Sequence, residues 1–353
     1  MAADPLILVL DEGTTSTRAL LFGPDGTIHG CSQRPIGFSH PRPGWVEQDA
    51  GEIWAATLSC AREMVAATGD ADRIAAIGIA NQRETIVAWD SVTGEPLAPA
   101  IVWQDRRTAD ICAGLRDGGH EPTVAEATGL LIDPYFSATK IAWLVDQVDA
   151  VRAADERLMV GTIDSWLAYK LTRGAHVTDA SNASRTSLMR LDGADWDDDL
   201  CNLFSVHPAS LPAIVDSAGI AGTTDPALLG GGIPIAAMIG DQQAAMIGQG
   251  CLTPGATKAT FGTGAFILTH AGAVPPRSRH RLLTTVLSQV GGRRDYALEG
   301  SLFVAGSMIQ WLRDKLGIIA SAPETEALAR SVADSGGVTI VPAFAGLGAP
   351  HWR

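Results

Sequence analysis

Residues Leu8 to Arg18 read L-V-L-D-E-G-T-T-S-T-R, an apolar run that ends on the carboxylate Asp11 and turns through Gly13, Thr14, Thr15 and Ser16. A glycine, three hydroxyls and a run of backbone N–H groups can wrap an anion, and an acidic group at the root of the turn can hold a divalent metal through water. Phosphate plus metal is the first chemical reading; a plain hairpin with a polar turn fits the same letters. A second group, Asn81-Gln82-Arg83-Glu84-Thr85, follows the apolar run Ile74 to Ile79. It sets a many-donor guanidinium beside an acceptor-only carboxylate, a pairing suited to a small polyhydroxylated molecule. A loop salt bridge is the plainer alternative. The third is Gly240-Asp241-Gln242-Gln243, again after an apolar run, Ile233 to Ile239. A carboxylate there can accept the proton of a hydroxyl as its oxygen attacks a phosphoryl group, or serve as a helix N-cap.

The elements that must position these groups alternate between strand and helix patterns. Leu6–Leu10 and Ala19–Phe22 form a strand pair, and Pro24-Asp25-Gly26 turns into a third strand through Gln33. Asp49, with Glu52 three residues on, opens a helix to about Ala67 with Ile53, Cys60, Met64 and Ala67 on one face. Strands are expected at 74–79 and 85–89, helices at 106–115, 137–145 and 164–171, and a glycine-rich loop at 219–232. The order indicates an α/β fold. Thr257 to Thr269 (T-K-A-T-F-G-T-G-A-F-I-L-T) repeats the plan of the opening hairpin. Two such hairpins suggest a duplicated fold clasping a phosphate between its halves, with a boundary near Gln249–Gly255.

Composition narrows the class. The 353 residues carry 26 Lys+Arg against 39 Asp+Glu, net −13, which argues against nucleic acid or an anionic membrane as main partner. No apolar run approaches the ~18–20 residues that span a bilayer. The five cysteines are scattered without a C-x-x-C, as in a reduced cytoplasmic protein. P-loop, dinucleotide-fingerprint and H-E-x-x-H motifs are all missing. Trp103, Tyr135 in Asp133-Pro134-Tyr135-Phe136-Ser137, and Phe266 could face a ligand's carbons or simply fill a core.

Taken together, Asp11–Arg18, Gly44–Glu47, Asn81–Thr85, Ile101–Arg107, Asp133–Lys140, His176–Thr186, Gly240–Ala244, Thr260–Gly264, Ala297–Gly300, Gln310–Asp314 and Gly346–Trp352 resemble the FGGY carbohydrate kinases. N-Q-R-E-T, D-P-Y-F-S and G-D-Q-Q point to the branch acting on glycerol rather than on pentuloses. The resemblance implies an actin/hexokinase-like (ribonuclease H-like) two-lobed fold, with residues 1–249 as the N-terminal domain and 256–353 as part of the C-terminal one. It implies ATP-dependent phosphorylation of glycerol to sn-glycerol 3-phosphate by in-line transfer, helped by lobe closure.

On matching positions, Asp241 would be the catalytic base. Arg83, Glu84, Tyr135, Gln242 and Asp241 would hold glycerol, with Trp103 and Phe266 against its carbons. Thr14, Thr15, Ser16, Arg18, Thr263, Gly264, Gly306 and Gln310 would contact ATP, and Asp11 would sit near Mg²⁺. The partners implied are glycerol and ATP, with a homo-oligomer left open. Another polyol kinase, an impaired fragment that only binds ligand, and an actin-like chaperone are the competing readings.

Three departures stand out. Glu12 takes a place where the family often has Gln, adding a negative charge beside Asp11. The loop 228–233 lacks Lys, Arg and His, so regulation by a sugar bisphosphate or by histidine phosphorylation through it is not expected. Finally, the chain ends just after G-L-G-A-P, where family members continue with the adenine-binding loop. An incomplete second lobe, weak glycerol binding and poor turnover are therefore expected of it.

Overall fold

The computed structural model describes residues 4–262, 264–343 and 346–352. Its first lobe is built on a six-stranded sheet ordered Ala218–Thr223, Pro234–Gly240, Ile74–Asn81, Leu6–Glu12, Ser16–Phe22, Ile28–Pro35. The last three strands form an antiparallel meander, while Leu6–Glu12, Ile74–Asn81 and Pro234–Gly240 run parallel. Along the first strand Leu6, Leu8, Leu10 and Glu12 face inward, as the two-residue period of a strand requires. That face is covered by the helices Ala50–Thr68 and Ile163–Thr172.

The Ala50–Thr68 helix begins where the Asp49 carboxylate accepts the N–H groups of Gly51 and Glu52, and ends at Gly69, whose φ of 76° no β-carbon favours. Ile53, Cys60 and Met64 are buried as the spacing predicts; Ala67, in the last turn of the helix, is exposed.

A four-stranded antiparallel sheet, ordered Thr257–Phe261, Ala265–Gly272, Arg293–Leu302, Leu283–Val290, forms the base of the second lobe. It meets the first lobe through a shared apolar cluster that includes Trp103, Tyr135, Phe136, Met246, Phe266 and Leu283. A smaller sheet of Glu47–Gln48, Ala100–Ile101, Ile86–Asp90 and Leu158–Thr162 lies beside the main one.

Three expectations change. The glycine-rich stretch at 219–232 is not a loop: Ala218–Thr223 pairs with Pro234–Gly240 as an edge strand, and Pro226–Leu229 is a short helix. Small residues there carry no strand signal; the neighbouring strand supplies the pairing. The helix expected from Arg106 starts at Ala109, since Arg107 donates its backbone N–H and its guanidinium to Asp105 in a turn. Helices at Glu121–Thr128, Asp149–Ala154 and Asp198–Phe204 were not foreseen. Among the described residues no helix is long and apolar enough to cross a membrane.

Candidate active site

Register brings the chemistry together. Glu12 and Gly240 both lie opposite Asn81, so the three parallel strands end at one edge. The turn at Gly13, the segment Gln82-Arg83-Glu84 and Asp241 therefore emerge side by side at the carboxyl ends of the strands, where open α/β sheets bind ligands. They open into a cleft of about 450 Å³ between the lobes. Thr14, Thr15, Arg83, Glu84, Trp103 and Tyr135 line it from the first lobe, with Asp241 and Gln242; Gly264, Phe266 and Gln310 line it from the second.

The floor is a buried ion network. Arg83 donates to both carboxylate oxygens of Glu299, at 2.6 and 3.0 Å, and to the Tyr135 hydroxyl at 3.3 Å. Arg185 donates to Glu84 at 2.5 Å and to Glu299 at 3.1 Å. None of these four charged residues is more than 3% exposed. Burial alone would raise the pKa of Glu299, but Arg185 and Arg83 together overcome that and hold it well below the usual carboxylate range. Glu84 sits at φ 62°, a conformation that L side chains rarely adopt, and this turns its carboxylate toward Arg185. Arg185 and Glu299 fall in the resembling stretches His176–Thr186 and Ala297–Gly300, but the sequence assigns no site role to either; the tertiary fold joins them to Arg83 and Glu84.

Asp241 is the first residue of the helix Asp241–Gly248, whose N-cap is Gly240, so the N-cap alternative fails. Its side chain keeps 34% of its surface exposed to the cleft. The Gln242 backbone N–H donates to Oδ1 at 2.7 Å, and Arg83 Nε lies 3.6 Å from the same oxygen. Burial, with Arg83 opposing and Glu84 adding, pushes the Asp241 carboxyl up to about 6. Such a group is ionised at neutral pH and still basic enough to take a hydroxyl proton. The Gln242 side chain is engaged: its Nε2 donates to Asp241 Oδ2 at 3.3 Å and its Oε1 accepts from Lys258 Nζ at 2.5 Å. Lys258, absent from the sequence-based set, is buried, and burial with Arg83 nearby lowers its pKa to about 8.

Trp103, Tyr135 and Phe266 form an apolar wall, Trp103 meeting the other two edge-on at 5.8 and 5.9 Å between ring centres. The Trp103 indole N–H donates to Thr14 Oγ1 at 2.9 Å, tying that wall to the first hairpin. Across the cleft, the second hairpin is held by close backbone packing. A β-carbon on Gly264 would stand 2.5 Å from the Leu302 carbonyl oxygen, and one on Gly306 2.5 Å from that of Gly262. Thr263, between these glycines, lies outside the described residues.

Four expected contacts are not on the cleft wall. Asp11 and Arg18 face each other across the hairpin register and pair at 3.0 Å. Ser16 accepts a hydrogen bond from Gln33, and Gly306 donates its N–H to the Gly262 carbonyl. The period of two explains the first hairpin: its strand residues alternate faces, and only the turn residues Thr14 and Thr15 reach the opening. Nor does Glu12 add a negative charge beside Asp11. It is fully buried, its Oε1 has no hydrogen-bond partner among the described residues, and burial pushes its pKa to about 8, so it is protonated near pH 7. Among the described residues no cluster of three or more His, Cys, Asp or Glu could hold a metal by itself. The single, partly exposed Asp11 carboxylate fits a cation held mainly by a nucleotide's phosphates.

A two-lobed α/β chain with such a cleft belongs to a sugar-kinase class, and comparison identifies the family. Residues 6–248 match the N-terminal domain of the FGGY family of carbohydrate kinases and residues 257–353 its C-terminal domain; the chain belongs to this family. Its relatives include a glycerol kinase of Alkalilimnicola ehrlichii, 54% identical over 350 residues covering 98% of this chain and 71% of that protein. A glycerol kinase of Methylobacterium nodulans is also 54% identical, covering 99% of this chain and 70% of the relative. Among solved structures, Plasmodium falciparum glycerol kinase with ADP superposes with a TM-score of 0.89 at 34% identity, over 99% of this chain and 71% of that one. The xylulose kinase of Rhodospirillum rubrum does so with a TM-score of 0.83 at 26% identity, over 97% and 70%.

Proposed function

We propose that the chain transfers the γ-phosphoryl group of ATP to a terminal hydroxyl of glycerol, with Asp241 as the base. The observation that carries this reading is the placement of Asp241: a carboxylate with a raised pKa, one-third exposed, between an apolar wall and two glycine-threonine turns. Glycerol would lie with its carbons on Trp103 and Phe266 and its hydroxyls toward Arg83, Glu84, Tyr135 and Gln242. The terminal N–H groups of Arg83 are engaged by Glu299 and Tyr135, and Oε1 of Glu84 by Arg185, so these two residues would act as a rigid rim rather than a mobile clamp.

As the hydroxyl oxygen attacks phosphorus, its proton passes to Asp241, the new P–O bond forms and the bond to the ADP oxygen breaks; the proton then leaves to solvent. The N–H groups and hydroxyls of Thr14 and Thr15, with Gly264 opposite, would cradle the phosphates. Thr263, Gly306 and Gln310 would lie on the nucleotide side, and Ser16 and Arg18 would support the first turn. Mg²⁺ bound by the nucleotide near Asp11 would neutralise phosphate charge.

Asp241→Asn tests the assignment: phosphoryl transfer should fall by about 10²-fold or more while glycerol binding, measured by calorimetry, is largely kept. Retained transfer would remove Asp241 from the role. A panel of glycerol, erythritol and xylulose decides the substrate, and turnover greatest on xylulose would exclude glycerol.

A further inference from the structure

Lys258 belongs to the strand Thr257–Phe261 of the second lobe, yet its ammonium reaches into the first. It is 2% exposed and donates to Gln242 Oε1 at 2.5 Å and to Thr260 Oγ1 at 2.7 Å. A lysine ammonium only donates, so the oxygen end of the Gln242 amide must face it. That leaves the amide NH₂ for Asp241 Oδ2, 3.3 Å away, and an ionised carboxylate only accepts. A single chain of donors and acceptors therefore crosses the cleft, from Lys258 through Gln242 to Asp241, and each link dictates the orientation of the next.

We propose that Lys258 is a positioning residue for Asp241: by fixing the Gln242 amide across the lobes, it holds the carboxylate in its working orientation only while the second lobe is in place. This inference rests on Asp241 being the base. The strand that carries Lys258 runs on through Thr260 into the turn at Gly262 and Gly264. Alignment of the base is thereby linked to the position of the second phosphate turn: a displaced second lobe frees the Gln242 amide from Oδ2 and leaves Asp241 only the Gln242 backbone N–H and Arg83, both on Oδ1. The other charged groups facing Asp241 are Arg83 and Glu84 from its own lobe, both committed to the ion network beneath, where Glu299 of the second lobe holds Arg83 and Arg185. Lys258 alone among these cations reaches the carboxylate through a neutral, rotatable amide, so it can act on orientation as well as on charge.

The test compares Lys258→Met, Lys258→Arg, Gln242→Leu and the Met/Leu double variant in the full chain. Lys258→Met should lower kcat about tenfold with little change in ADP affinity. It should also move the acid limb of kcat/KM upward by about half a pH unit or more, because a cation and an aligned donor are both lost. Lys258→Arg, which keeps charge and donors, should restore most of kcat. The double variant should be no slower than the slower single variant, since both cut the same chain.

A ¹³C-aspartate NMR titration, with the Asp241 signal identified by its loss in Asp241→Asn, follows the carboxyl without turnover. An upward shift in Lys258→Met supports the proposal. An unmoved Asp241 titration, multiplicative losses in the double variant, or weakened ADP binding as the main defect of Lys258→Met would each overturn it. Should Lys258→Met fail to fold, Gln242→Leu decides the matter: its Asp241 signal must shift upward. Activity surviving in Asp241→Asn is a separate result, which removes the base while leaving the measured effect of Lys258 on the Asp241 titration intact.

Discussion

Arg83 places two of its terminal N–H groups on the two oxygens of Glu299, at 2.6 and 3.0 Å, and so joins the loop after a central strand of one lobe to a strand of the other. The pair is fully desolvated, and Arg185 shares the same carboxylate. Glu299→Ala would leave the Arg83 guanidinium buried without its bidentate partner, and Arg185 with Glu84 alone. Denaturant unfolding should show a loss of about 3–5 kcal/mol. A loss below about 1 kcal/mol, the scale of an exposed pair, would mean that the network is not load-sharing between the lobes.

The Asp241 carboxyl is raised to about 6, chiefly by burial. The base works ionised, so the rate should fall as pH drops through about 6 and be level above it until another group titrates. A kcat/KM profile with its acid limb near the ordinary carboxylate value of about 4 would contradict that environment.

Gly264 has no room for a side chain, with the Leu302 carbonyl oxygen 2.5 Å from where a β-carbon would stand. Gly264→Ala must push the turn away from the adjoining strand end. ADP affinity, measured by calorimetry, should weaken by about tenfold or more, with a smaller change in glycerol affinity. Unchanged ADP binding would take this turn out of the nucleotide site.

Asp164 is buried, pushed up to about 6 by burial and by the neighbouring Asp179 carboxylate, and accepts hydrogen bonds from Thr162 and Thr178. In the unfolded chain its pKa returns to about 4. Between these values the folded state binds the additional proton, so the contribution of this group to stability falls as pH rises from about 4 to 6, by up to about 1.4 kcal/mol per pH unit. Asp164→Asn should flatten that slope in urea melts taken across the window; a slope equal to that of the parent would show that Asp164 does not titrate there.

Local pattern carried much of this protein. Apolar runs ending on Asp11, Asn81 and Gly240 are strands because alternating and continuous apolar side chains must be buried, and the polar residues after them then have to sit at strand ends. The two hairpins, the Asp49-capped helix and the α/β order follow from the same rules, and resemblance at those motifs led to the kinase family. The sequence alone also singled out Arg83, Glu84, Trp103, Tyr135, Asp241 and Phe266, all of which line one cleft.

Tertiary structure decided what those residues are free to do. Glu299, Arg185 and Lys258 lie 216, 101 and 16 residues from their respective partners Arg83, Glu84 and Gln242; their segments are marked in the sequence, but nothing there says which distant group each side chain meets. Desolvation turned Glu12 from an apparent charge into a neutral acid and raised Asp241 toward the range of a working base. Strand alternation took Asp11, Ser16 and Arg18 off the cleft wall. Charge, orientation and access depend on what is packed around a group, and for this site that packing comes from distant segments of both lobes.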